Sequence, residues 1–318
     1  RRRGPEPTSR RVACRLQLKS RLEYAAFLVA QAVLGLLPRR SALAVGAAAG
    51  QLLCWVALPL RRVAMTNLAI AFPDITDHER RRILAVSCRN LGRVAAEFCQ
   101  LRRLRRETLD RYVAIPDREA WQRVIEQAGQ RGAIIVTGHF GNWELLAYAQ
   151  GLLGHPITLV HKPMRNPWVD RAVVHARARA GTRSIPKRAA AREALRTLRD
   201  HGMLVIPMDQ NQRGHEGVFI DLYGIPACTN PGAARLARHT GAALVPVFLV
   251  REGESARHRV EILPMIEPSD SGAPDRDLVA TTQACSDVVA DMVRRHPEQW
   301  IWFHKRWRTR PEGDAEIY

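Results

Sequence analysis

A chain of 318 residues, 46% of them hydrophobic, can bury a substantial core, and it carries neither an internal repeat nor a long low-complexity tract. The six cysteines, at positions 14, 54, 88, 99, 228 and 285, form no Cys-x-x-Cys pair and no metal-ligand spacing. This argues against a disulfide-stapled secreted domain and against a zinc site, and fits a reduced, cytoplasm-facing protein. The formal charge of +18, from 49 basic against 31 acidic residues, calls for an anionic partner: membrane lipid, nucleic acid or an acidic protein.

Residues 1–22 are basic, and they are expected to lack fixed structure. Residues 23–62 form an apolar helical segment in two parts, Tyr24 to Leu37 and Ser41 to Leu60, separated by Pro38-Arg39-Arg40. The first part is shorter than the roughly 20 residues that span a bilayer, and the second is rich in Ala and Gly. A pair of buried helices and a membrane hairpin or interfacial anchor are both consistent with that pattern. Flanking arginines and Trp55 favour association with a membrane. Residues 63–110 read as helices, with Thr76-x-x-Glu79 as a capping box. The cationic run Arg102-Arg103-Leu104-Arg105-Arg106 is either a solvated face or a surface for anionic headgroups or an acidic carrier.

The apolar run Ala133 to Val136 is of strand type and breaks at Thr137-Gly138. His139 follows, and after Gly141-Asn142 the pattern Trp143, Leu145, Leu146, Ala149 opens a helix. Strand, tight turn and helix place a base in the turn and Glu144 in the first helical turn. A turn before the helix allows His139 to fold back over Glu144, which five residues of regular helix would not permit. A carboxylate at the second ring nitrogen would fix the tautomer and stabilise the imidazolium of a general base. The competing reading is a polar loop histidine, with a glutamate at the positive end of a helix. Glycines on either side of His139-Phe140, at the carboxyl end of a buried strand, favour a site.

Further strands are expected at Ile157 to His161, Met203 to Met208, Val218 to Leu222, Ala243 to Val250 and His258 to Leu263. Helices are expected through Arg171 to Arg179, over Pro231 to His239 and around Val279 to Arg295. Strands alternating with helices imply an α/β fold, with a mixed, largely parallel sheet covered on both faces. Residues 63–311 form the expected catalytic domain and 312–318 a tail. Three tryptophans in Trp300 to Trp307, interleaved with Lys305, Arg306, Arg308 and Arg310, suggest either a single-stranded nucleic-acid platform or a segment packed on the core or headgroup layer.

His139-Phe-Gly-Asn-Trp-Glu144 resembles the His-x4-acid signature of the lysophospholipid acyltransferase superfamily, in the form typical of the bacterial lipid A biosynthesis lauroyl/myristoyl acyltransferases. Lys162-Pro-Met-Arg-Asn166-Pro with Arg177-x3-Gly181 is similar to the second block of that family, where Arg is frequent in place of Lys162. Asp209-Gln210-Asn211 with Tyr223-Gly-Ile-Pro226 is similar to the third, and Trp302-x-His304-x-Arg306-Trp307 to the closing block. The resemblance covers roughly residues 22–311, and it implies an inner-membrane enzyme, acting at the cytoplasmic face. Such an enzyme moves a fatty acyl chain from an acyl carrier protein thioester to a glycolipid hydroxyl, without cofactor or metal. His139 would be the base and Glu144 its orienting acid, while Lys162 and Arg177 would hold phosphates. Asp209 would position an arginine or a sugar hydroxyl, or cap a turn. Asn142, Asn166 and Gln210 join them as candidate substrate-binding residues, and Phe140, Trp143 and Leu146 as candidate lining for the acyl chain. Two alternatives stand beside this reading. One is an acyltransferase for a lysophospholipid or mannosylated lipid; the other is a basic nucleic-acid-binding protein, which no recognised motif supports and which leaves the apolar segments unexplained.

Overall fold

The computed structural model describes residues 7–186 and 190–318. In chain order its elements are helices α1 (Pro7–Leu36), α2 (Arg39–Val56), α3 (Leu58–Ala71), α4 (Asp77–Gln100) and α5 (Arg106–Leu109), then β1 (Val113–Ala114), α6 (Arg118–Arg131), β2 (Ala133–Thr137), α7 (Trp143–Leu152) and β3 (Ile157–His161). They continue through α8 (Pro167–Ala178), β4 (Arg183–Pro186), α9 (Ala190–Arg199), β5 (Met203–Pro207), β6 (Val218–Leu222), β7 (Ile225–Thr229), α10 (Gly232–Thr240), β8 (Ala243–Arg251), β9 (His258–Ile262) and α11 (Pro274–Arg295). Part of the basic stretch expected to be unstructured is thus helical, since α1 starts at Pro7; residues 1–6 lie outside the described residues.

Seven strands form one sheet in the order β1-β9-β8-β2-β5-β3-β4, and every neighbouring pair is parallel except β8 with β9. The α/β, largely parallel architecture expected from the sequence is the one observed. Strand β2 explains why a continuous apolar run was needed. Ile134 and Val136 pack into the core on one face, Ala133 and Ile135 into the core on the other, and all four are buried. Sequestering each branched side chain from water on both faces contributes about 1.5–3 kcal/mol, which a one-faced alternating strand would forgo at every second position. Strands β6 and β7 form a separate antiparallel hairpin. Strand β7 starts at Ile225, directly after Tyr223 and Gly224, both with positive φ, which complete the reversal from β6 in two residues.

The capping box at Thr76 and Glu79 opens α4 as anticipated. Helix α4 crosses α2 at backbone contact: a Cβ on Gly46 or Gly92 would collide with the carbonyl oxygen of the other. The inner face of α2 (Ala42, Leu43, Ala47, Cys54) is buried, whereas Leu52, Leu53, Trp55 and Val56 stand more than half exposed. Among the described residues no single helix is long and apolar enough to cross a membrane. Helices α2 and α3 meet the length and composition only together, bent by 93°.

Candidate active site

The register of two strands assembles the site. In the parallel pair β2–β5, Thr137 lies opposite Pro207. His139 and Asp209 each stand two residues beyond that last pair, so the two chains leave the sheet side by side and present the imidazole and the carboxylate to each other. His139 Nδ1 lies 2.9 Å from Asp209 Oδ1, and the backbone N–H of His139 donates to Asp209 Oδ2 at 2.7 Å. Trp300 Nε1 donates to the same Oδ2 at 2.8 Å. An ionised carboxylate accepts all of these bonds, so the proton between it and the ring sits on Nδ1 and the lone pair of the neutral ring is on Nε2.

Other contacts fix the turn. The N–H of Gly141 donates to Gln299 O at 2.8 Å and that of Asn142 to Leu249 O at 3.2 Å, while Ile301 N–H donates to His139 O at 3.3 Å. Gly141 adopts φ +57° with its α-carbon against the Leu249 carbonyl, where any Cβ would collide, so the second glycine of the motif is required twice over. Asn142 caps α7 by accepting from Leu145 N–H at 2.9 Å and donates at 2.7 Å to Glu97 of α4. Glu97, 1% exposed, also accepts from Arg251 at 2.5 and 3.1 Å and from Arg39 at 3.0 Å.

Electrostatics follow from these partners. Burial alone would push the His139 imidazole down, but the adjoining Asp209 carboxylate, helped by Glu144 and opposed by Arg177, raises it above its ordinary value. Burial would raise Asp209. The facing imidazole and the bonds from His139 and Trp300 bring it instead to about 2.

The expected contact between Glu144 and the ring is not made. Glu144 accepts from Arg177 Nε at 2.9 Å and Nη2 at 2.5 Å, a bidentate pair with both side chains only 13% exposed. From the first turn of α7 the glutamate side chain reaches outward to α8, while the ring turns the other way, toward β5. Arg177 is accordingly committed to Glu144 rather than free for a phosphate. Asn142, 1% exposed, has both amide atoms engaged and is not open to substrate. Asn166 caps α8 and donates to Ser20 O and Glu23 of α1, an anchoring use rather than an open binding position. Lys162 is exposed, as is Gln210, whose Nε2 lies 3.3 Å from both ring nitrogens of His139. Of the proposed acyl-chain lining, Phe140 and Leu146 are core residues at 1% and 4% exposure, while half-buried Trp143 meets the His139 ring edge-on at 5.5 Å. The closing segment offers no stacking platform: Trp300, Trp302 and Trp307 are buried, and so is Arg306, which donates to Cys228 O at 3.0 Å.

Residues 15–309 match the family described as bacterial lipid A biosynthesis acyltransferase. The chain belongs to that family. Its similarity to the lipid A biosynthesis lauroyltransferase of Escherichia coli (strain K12) is 27% identity over 258 residues, 81% of this chain and 82% of the relative. The lipid A biosynthesis palmitoleoyltransferase of the same organism is 25% identical over 80% of this chain and 81% of its own. The phosphatidylinositol mannoside acyltransferase of Mycolicibacterium smegmatis (strain ATCC 700084 / mc(2)155) is 27% identical over 180 residues, 56% of this chain and 57% of that protein. As a bacterial lipid A biosynthesis acyltransferase the protein is an acyl-transferring enzyme, and the expected kinship is correct. Within it, sequence reading singled out His139 and, with another role, Asp209, but paired the ring with Glu144. Asp209 carried a signal as the polar residue ending a buried strand, although nothing local said which strand lies next to β2.

Proposed function

We propose that this acyltransferase moves a fatty acyl chain from an acyl carrier protein thioester to a hydroxyl of a lipid A precursor, at the cytoplasmic face of the inner membrane. The observation that carries the chemistry is the His139–Asp209 pair. An alcohol is a weak nucleophile at neutral pH, and a neutral imidazole with its lone pair on Nε2 is the base it needs. The acceptor O–H gives its proton to Nε2 as its oxygen adds to the thioester carbon. The carbonyl π electrons move to oxygen, then return and expel the thiolate, which takes the proton from the imidazolium. Asp209 holds Nδ1–H throughout and offsets the transient positive charge, the part played by the acid of a Ser-His-Asp triad. Glu144 contributes at one remove, by neutralising Arg177 beside the ring.

The membrane location is supported by exposed apolar side chains on α1 (Val29, Val33, Leu36) and at the α2–α3 corner (Leu53, Trp55, Val56). Lipid A acceptors are favoured by the family and by relatives whose names specify lipid A. A mannosylated lipid is the second reading, supported by the similarity to the mannoside acyltransferase. Mass spectrometry of lipid A from a deletion strain tests the acceptor: a species lacking one acyl chain is expected, and unchanged lipid A overturns the assignment. Assays of wild-type and His139→Ala enzyme with acyl carrier protein thioesters and with acyl-coenzyme A test donor and base. Preference for the carrier-bound donor and loss of transfer in a folded variant are expected.

A further inference from the structure

Three amide side chains stand near the end of β5, and two are tied down. Asn211 donates to Thr309 Oγ1 at 3.1 Å and accepts from Thr309 N–H at 3.0 Å, while Gln212 donates to Glu216 at 2.5 Å. Gln210, exposed between Asp209 and Asn211, is held by neighbours on both sides and points its amide at the His139 ring, with Nε2 at 3.3 Å from each ring nitrogen. An amide nitrogen equidistant from the two ring nitrogens lies over the face of the imidazole, off the axis of the in-plane Nε2 lone pair, and Nδ1 is taken by Asp209 Oδ1 at 2.9 Å; the Nε2 lone pair therefore stays open to an incoming hydroxyl, with the amide N–H standing beside it.

The reaction creates a second need at this place. When the acceptor oxygen adds to the thioester, the carbonyl oxygen becomes an anion that requires donors. Several backbone N–H groups of the turn are engaged internally: His139 with Asp209, Gly141 with Gln299, Asn142 with Leu249, Leu145 with the Asn142 side chain, and Asn211 with His304. Arg177 is locked to Glu144. We propose that Gln210 is a catalytic residue whose side-chain N–H, standing beside His139 Nε2 without holding its lone pair, donates to the oxyanion of the tetrahedral intermediate. The assignment rests on the acyl-transfer reading with His139 as base.

The reach is adequate. A nucleophile about 3 Å from Nε2, with the carbonyl carbon about 3–3.5 Å beyond it, leaves the oxyanion within range of an amide that starts beside Nε2 on a flexible stem. A neutral donor also suits the location. It stabilises the new negative charge without opposing proton uptake by the imidazole, as a cation there would.

The test uses full-length enzyme, an acyl carrier protein thioester and the lipid acceptor, with Gln210→Ala, Gln210→Glu and His139→Ala compared in parallel. Because Gln210 is exposed, its variants should fold with unchanged Tm. Loss of one oxyanion donor should lower kcat about 10²-fold. KM for donor and acceptor should stay within about twofold; in Gln210→Ala, which adds no charge, the rising limb of kcat/KM against pH should keep its midpoint, whereas the carboxylate of Gln210→Glu should move it upward. Wild-type kcat in both Gln210 variants overturns the proposal, as does a loss confined to KM or, in Gln210→Ala, one accompanied by a shift of the pH midpoint, which would place Gln210 on the substrate or on the ring instead. Persisting turnover in His139→Ala would overturn the general-base reading, a failure distinct from retained activity in Gln210→Ala beside an inactive His139→Ala.

Discussion

Two buried carboxylates grip the same turn from opposite sides, and their partners set them apart. Asp209, 6% exposed, faces the His139 imidazole, and Glu97, 1% exposed, faces the permanent cations Arg251 and Arg39 with the His258 imidazole 3.6 Å away. Burial opposes ionisation of both. In Glu97 it is overcome by Arg251, then by His258 and Arg39, so its carboxyl lies below the ordinary value. Burial, charge, contact with the motif and even an imidazole neighbour therefore do not separate the two carboxylates. What differs is the ring each one meets: His258 beside Glu97 is wholly buried, whereas the His139 side chain beside Asp209 is 27% exposed and can reach a substrate. On that ground Asp209 is the acid proposed for chemistry, and Glu97 the one proposed to hold geometry.

The strongest test of that contrast is Asp209→Asn. The amide oxygen can replace Oδ2 in accepting from His139 N–H and Trp300, so the fold should survive. The amide NH2 then faces Nδ1 and forces the ring proton onto Nε2, removing the base. We expect kcat to fall by about 10⁴, the size of the corresponding change in a Ser-His-Asp triad, with little change in Tm. Glu97→Gln should invert the pattern. Breaking a buried pair while leaving Arg251 uncompensated costs about 3–5 kcal/mol, read by chemical denaturation, whereas the folded fraction should keep its turnover and pH profile. A kcat collapse in Glu97→Gln without instability would erase the distinction.

A finer test is Glu144→Gln. The carboxylate helps to hold the His139 imidazole above its ordinary value, and Arg177 opposes it. Removing the negative charge should move the rising limb of kcat/KM to lower pH, with kcat reduced about tenfold, less than the roughly 10²–10⁴ lost with a group that transfers the proton itself. An unmoved limb would make the Glu144–Arg177 pair purely structural. The linkage signs differ too. The raised His139 value favours folding below the unfolded value of about 6.5, and that contribution is lost as pH rises through the folded value. The lowered Asp209 value favours folding above its unfolded value, and is lost as pH falls toward about 2. The smallest effect belongs to the exposed cations. Arg102, Arg105 and Arg106 changed together to Glu should alter stability by less than about 0.5 kcal/mol each, and weaken binding to anionic vesicles by about 1 kcal/mol for each positive charge removed at the lipid surface. Arg103 is left out, because it donates to the Leu36 and Leu37 carbonyls at the end of α1.

Much of the fold was legible because it is written in local pattern: the apolar run of β2, the glycines around His139, and the capping box at Thr76. His139 was legible for the same reason. Its partner was not, because β5 reaches β2 only after β3 and β4 have been laid down on its far side, and residue spacing carries no trace of that insertion. Proximity in sequence instead nominated Glu144, which the helix start directs toward α8. The short edge strand β4 offers only four residues of pattern, whereas helices α6 and α9 are amphipathic and legible in principle, with Trp121, Val124 and Ala128 on the buried face of one and Ala194 and Leu198 on that of the other. Glu97 carried no signal at all. An acid among basic and apolar residues of a long helix looks like solvent-facing decoration until Arg251 arrives from a strand 154 positions away.

The glycine crossing of α2 and α4 has a practical corollary. With Gly46 and Gly92 in backbone contact and Arg39 bonded to Glu97, the apolar N-terminal helix is a wall of the catalytic body, and cutting it away to make the enzyme easier to handle would open the core and strip a cation from beneath the turn. Water-compatible variants should therefore be sought by repainting the outer residues Leu52, Leu53, Trp55 and Val56 with polar side chains, leaving the chain length intact.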